Sequence, residues 1–236
     1  MRWIALFFMT ALAGCVSTVE PQRPSGQPAK PAASAPAIPT RAKVDQFVAV
    51  VESVEPVAEA VCRAQTGPNS NCDFRIVVDD RPGQPVNAYQ TLDRNGRPII
   101  AFTLAMIAEA RNRDELAFVL SHEAAHHIAG HIPRQQQNAA AGAILLGGLA
   151  TLTGVGSDAV RTASDLGATV GARTYSKNYE LEADSLGTII AKRAGYDPVR
   201  GAAFFSRIPD PGDRFLGTHP PNAQRIETVR RVDAQL

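Results

Sequence analysis

The stretch Asp114-Glu115-Leu116-Ala117-Phe118-Val119-Leu120-Ser121-His122-Glu123-Ala124-Ala125-His126 carries both a structural and a chemical signal. Leu116, Val119 and Leu120 recur at helical spacing, so the segment from Asp114 to His131 reads as helical. His122 and His126 then lie one turn apart on one face, where both imidazoles can reach a single zinc ion. Glu123 points near the same edge, where a carboxylate can take a proton from an activated water. A third ligand is needed. A helix that supplies it itself carries a glycine three residues and a histidine six residues after the second histidine. Here those positions are Ala129 and Ile132, so His127 and His131 read as packing or supporting groups. The next candidates come at Glu180-Leu181-Glu182-Ala183-Asp184. On a helix Glu180 and Asp184 share a face, so one carboxylate can bind metal while the other buttresses a ligand histidine.

Outward from this helix, the pattern is mixed. Val44, Phe47, Val48, Val51, Val54 and Val57 predict a helix over residues 43–65. Residues 74–78 form a β-branched run closed by the turn Asp79-Asp80-Arg81-Pro82-Gly83. Residues 86–90 and 98–103 read as two further strands around Asn95-Gly96, a hairpin signal. After residue 104 the chain reads as helical almost to its end. Helices around a small sheet make an α+β layout. Residues 135–157 carry no charge but contain five glycines. They read as a buried or lid-forming helical hairpin, with a membrane span or a partner-binding element as alternatives.

Composition sets outer limits. The 24 Lys+Arg against 23 Asp+Glu leave a net charge of +1, which supplies no field for nucleic acid. With 44% hydrophobic residues the chain can build a core, which excludes disorder throughout.

The motif order is His122-Glu123-x-x-His126, then Glu180-x-Glu182-Ala183-Asp184, then Thr218-His219-Pro220-Pro221 with Arg225-Ile226. It resembles metallopeptidase family forty-eight, the gluzincins that include HtpX, the prenyl-protein proteases and the BepA- and LoiP-like envelope peptidases. Asn87-Ala88-Tyr89 and Asn112-Arg113-Asp114-Glu115-Leu116 also look like that family's approach to its active-site helix. The resemblance runs from about residue 43 to 232. It implies a mainly helical zincin-type domain with a small β-sheet beside the active-site helix. It further implies one zinc per chain on His122, His126 and Glu180, with Glu123 as general base and Asp184 supporting a ligand. His219 and Arg225 match positions that approach the metal and stabilise the reacting oxygen, or, for His219, cap the metal at rest. The implied activity is that of a zinc metalloendopeptidase, with an extended substrate pairing beside a strand within residues 86–103. The alternative is a chaperone or assembly factor for outer-membrane proteins in which binding dominates.

Residues 1–14 read as a signal peptide: Met1-Arg2, then an apolar run from Trp3 to Ala13 too short to span as a mature helix. Leu12-Ala13-Gly14-Cys15 resembles the lipobox of bacterial lipoproteins, which implies a lipid anchor on Cys15; the rival is a plain secretory signal. Val16 after the cysteine is similar to an outer-membrane address. Within residues 15–40, prolines at 21, 24, 28, 31, 36 and 39 describe an extended tether, leaving 41–236 as the catalytic domain. Export leaves Cys62 and Cys72 as an even pair whose bridge would contribute roughly 2–3 kcal/mol, against two free or metal-binding thiols. The expected partners are unfolded or misfolded envelope polypeptides, the membrane through Cys15, and outer-membrane assembly machinery. Proteolytic quality control at the periplasmic face of the outer membrane is the function these features imply.

Overall fold

The computed structural model describes residues 38–236 apart from Tyr175, Phe215, Leu216 and Thr218. The signal-peptide residues 1–14, Cys15 and the Pro-rich segment to residue 37 lie outside the described residues. Helix α1 (Arg41–Gln65) starts where the Thr40 side chain accepts a hydrogen bond from the Lys43 N–H. Its buried stripe is Phe47, Val50, Val54, Ala58 and Val61, while Val44 and Val48 face outward. The helical period expected here therefore holds, but the buried face is rotated towards Val50 and Ala58.

Strands β1 (Arg75–Asp79), β2 (Ala88–Leu92) and β3 (Pro98–Thr103) form one sheet in the order β1-β3-β2. The β1–β3 pair is parallel and β2–β3 is the expected antiparallel hairpin. Strand β2 is displaced by two residues from the predicted 86–90. Thr103 explains the shift: its side chain donates to the Pro85 carbonyl and accepts from the Asn87 N–H, so the ladder gives way to a bend before Ala88. Ile100 and Phe102 of β3 face the core, where the Phe47 and Phe102 rings stand 5.0 Å apart.

Helix α2 (Leu104–Glu109) leads to α3 (Arg113–Ile128), whose Leu116, Phe118 and Leu120 complete the core. The predicted helical run from Asp114 to His131 is interrupted. At Gly130 the backbone turns left-handed, φ 66°, which a glycine adopts without penalty, and a new helix α4 (His131–Leu152) begins. Helix α5 (Ser157–Thr174) returns along α4 as a hairpin. Glycines let the two backbones touch: a Cβ on Gly142 would stand 2.0 Å from the Gly167 carbonyl oxygen, and one on Gly171 2.0 Å from that of Asn138. Residues 135–157, expected to form a helical hairpin by themselves, supply only one arm and the turn of this longer one, and that arm is not buried, since Ile144, Leu145, Leu149 and Leu152 are exposed. No helix among the described residues is long and apolar enough to cross a membrane.

Helix α6 (Ser176–Arg193) packs across α3. Helix α7 (Pro198–Ala202), a 3-10 turn (Ala203–Ser206) and α8 (Asn222–Asp233) follow, and the described residues between 207 and 221 form no helix, so the C-terminal part is less helical than its sequence suggests. The domain is mainly helical with one small mixed sheet.

Candidate metal centre

Helix α3 is fixed at its start. The Asn112 side chain accepts from the Glu115 N–H, and the buried Glu115 carboxylate takes both arms of Arg207 at 2.7 Å. Buried Asp114 pairs with Arg200. These contacts set the rotation of α3, and that rotation decides where His122 and His126 point.

Helix α6 crosses behind them. Gly187 makes the approach possible, because a Cβ there would lie 3.0 Å from the Cα and N of His122. The result is convergence. The Nε2 atoms of His122 and His126 are 3.0 Å apart, and the two Glu180 carboxylate oxygens lie 3.5 Å and 3.4 Å from them. Tetrahedral zinc with ligands about 2.0–2.1 Å away keeps donor atoms about 3.3 Å apart. The three donors thus fit a zinc ion, and His, His and Glu are a donor set that suits it.

Around this triangle the other motif residues are ordered by charge. Asp184 Oδ1 accepts from His122 Nδ1 at 3.0 Å, which turns Nε2 towards the centre. Arg225 reaches in from α8, grips Asp184 at 2.8 Å and 2.6 Å, and lies 3.8 Å over the Phe205 ring. Its remaining arm sits 3.3 Å from Glu180. His219, on the loop before α8 and half exposed, places Nδ1 3.2 Å from Glu180 Oε2.

Burial and the Arg225 charge push the His122 imidazole down, but its hydrogen bonds to Asp184 and Glu180 outweigh them and raise it to about 9. Burial opposes ionisation of Glu180, yet hydrogen bonds from His122, His126 and His219 hold its carboxyl well below the usual range. Asp184, also opposed by burial, is kept low by Arg225. Glu123 goes the other way: burial raises its carboxyl, and the nearby histidines only partly offset that. A half-buried carboxylate with raised proton affinity beside a metal triad can both take and return a proton.

The centre opens into a cleft of about 890 Å³. It is lined by Ala88, Tyr89 and Gln90 of β2, whose outer edge pairs with no strand among the described residues, and by Phe204, Phe205, Ile208 and Pro209. Cys62 and Cys72 are bonded, S–S 1.97 Å, at the far end of α3, where the Asn71 carbonyl accepts from His127 at 2.7 Å. His127 is thus a packing group. Two features of the site, the Glu115–Arg207 pair and the approach at Gly187, leave no local pattern in the sequence and are visible only in the fold.

The model of peptidase family M48 matches residues 49–233, and the chain belongs to that family. It is similar to the beta-barrel assembly-enhancing protease of Escherichia coli O157:H7, 29% identical over 148 residues, covering 56% of this chain and 30% of that protein. It is also similar to the mitochondrial metalloendopeptidase OMA1 of Saccharomyces cerevisiae, 29% identical over 188 residues and covering 74% of this chain and 52% of that protein. The chain therefore spans about a third of the assembly-enhancing protease and half of the yeast protein.

Proposed function

We propose that this chain is a zinc-dependent endopeptidase acting on misfolded or unassembled polypeptides of the cell envelope. The observation that carries the reading is the convergence of His122, His126 and Glu180 at zinc-fitting separations, with Glu123 beside them at the floor of an open cleft. A zinc ion held by these three residues would supply Lewis acidity, lowering the pKa of a water towards about 7 and polarising a peptide carbonyl. Glu123 takes the proton of the attacking water and returns it to the leaving amine. His219, whose side chain is half exposed, would donate to the developing oxyanion or cover the centre at rest. Arg225 acts from behind, keeping Asp184 ionised. An extended substrate adding to the outer edge of β2, which is unpaired among the described residues, would be held by main-chain pairing, which suits unfolded chains of varied sequence.

Wild type and Glu123→Gln, both as the full chain, should each bind one zinc, and only wild type should degrade unfolded casein. Zinc in neither protein would overturn the ligand assignment. The E. coli relative's name joins assembly to proteolysis, which supports a second reading as an assembly factor for outer-membrane proteins. Rescue of an envelope defect by Glu123→Gln would favour that role over cutting.

The lipobox-like Leu12-Ala13-Gly14-Cys15 supports anchoring in the outer membrane, facing the periplasm. Fractionation checks it: wild type should sediment with membranes and Cys15→Ser should not.

A further inference from the structure

His122 and His126 of α3 are oriented by different means. His122 turns its Nδ1 directly to a carboxylate, Asp184. His126 instead turns its Nδ1 to Nδ1 of a third histidine, His131, 2.7 Å away. The other ring nitrogen of His131, Nε2, lies 3.2 Å from Glu182 Oε2. His131 is 5% exposed, and its ring stacks on Tyr179 with centroids 4.6 Å apart. Arg134 donates to the same Glu182 oxygen at 2.8 Å and covers the Tyr179 ring from 4.4 Å.

We propose that His131, backed by Glu182, is the positioning residue that holds His126 in its metal-binding tautomer and orientation. This rests on His122, His126 and Glu180 being the zinc ligands. The proton inventory leaves one arrangement. A lone pair on His126 Nε2 directed at the metal requires the ring proton on Nδ1. Two nitrogens 2.7 Å apart share one proton, so His126 donates and His131 accepts. The His131 proton then sits on Nε2 and is donated to the Glu182 carboxylate. Reversing the chain would put a proton on the metal-facing nitrogen of His126. The three acids of the 180–184 motif thus divide the work: Glu180 contacts the metal, Asp184 orients His122, and Glu182 orients His126 through His131.

The backbone supports the assignment. On an unbroken helix a residue five positions on lies about 140° round the axis from its predecessor. The left-handed turn at Gly130 ends α3, and α4 brings the His131 ring back against His126, 4.9 Å between centroids.

The test uses the full chain as wild type, His131→Ala, His131→Gln, Glu182→Gln and His126→Ala. Zinc affinity is measured by competition with a chromophoric chelator, and ligand geometry by the visible absorption of the cobalt(II)-loaded protein, where near-UV circular dichroism shows the variant folded. His131→Ala should bind zinc about 10–100-fold more weakly and alter the cobalt spectrum. His131→Gln, whose amide can accept and donate, should restore most of both. Glu182→Gln should weaken zinc in the same direction by less, and adding it to His131→Ala should bring no further loss. Wild-type zinc affinity and an unchanged cobalt spectrum in folded His131→Ala would overturn the proposal. If that variant does not fold, the same result in Glu182→Gln, whose side chain is 46% exposed, overturns it instead. Undiminished zinc binding by His126→Ala would overturn the underlying ligand assignment.

Discussion

A Cβ on Gly187 would meet backbone atoms of His122, which cannot swing aside as a side chain could. Valine there must push α6 away from α3 and widen the gap between Glu180 and the histidines. Gly187→Val should therefore lose about 1–3 kcal/mol, the usual range for overpacking, and bind zinc more weakly. Gly148 is the control: it is helical and a methyl group added there would meet no neighbour, so Gly148→Ala should unfold in urea no earlier than wild type. At this scale the His122–His126 spacing was legible because both residues belong to one helix and periodicity places them. His131 was legible only as a packing or supporting group; its contact with His126 was not, because that position depends on one left-handed residue that the helical pattern passes over. The importance of Gly187 was hidden for a related reason, since a close approach between helices far apart in sequence has no signature in either.

Among the elements, the sheet depends on an acid at the end of β1. Arg81 donates to Asp79 at 2.8 Å and 2.7 Å, and Tyr89 of β2 reaches over β3 to the same carboxylate at 3.2 Å. The Arg81 hydrogen bonds outweigh burial and hold the Asp79 carboxyl down to about 2. A carboxyl depressed in the folded state stabilises it above its unfolded value, about pH 4, and loses that contribution as pH falls towards the folded value. Asp79→Asn should thus melt below wild type at neutral pH, and the difference should narrow between pH 4 and pH 2 in thermal melts. Element types were legible from periodicity and turn chemistry. The two-residue displacement of β2 was not, because it is set by the Thr103 side chain sixteen residues away from Asn87.

For the molecule as a whole, the order of helix, small sheet and active-site helix could be read from the sequence, as could the three site motifs. The exposure of the α4–α5 hairpin could not: an uncharged segment rich in alanine, leucine and glycine reads equally as core, and the glycines that mark it as self-packing find their partners only across the turn. That hairpin has a kinetic consequence. It lies between His126 and Glu180, about fifty residues apart, and a flexible loop of that length must search widely before its ends meet. Loop-closure entropy grows as (3/2)RT ln n, so a hairpin over residues 131–174 that forms first and shortens the effective loop about fivefold removes about 1.4 kcal/mol from the search. Helix pairs form from local contacts and form early. The glycine-lined hairpin would then serve as a folding guide, bringing Glu180 within reach of His122 and His126.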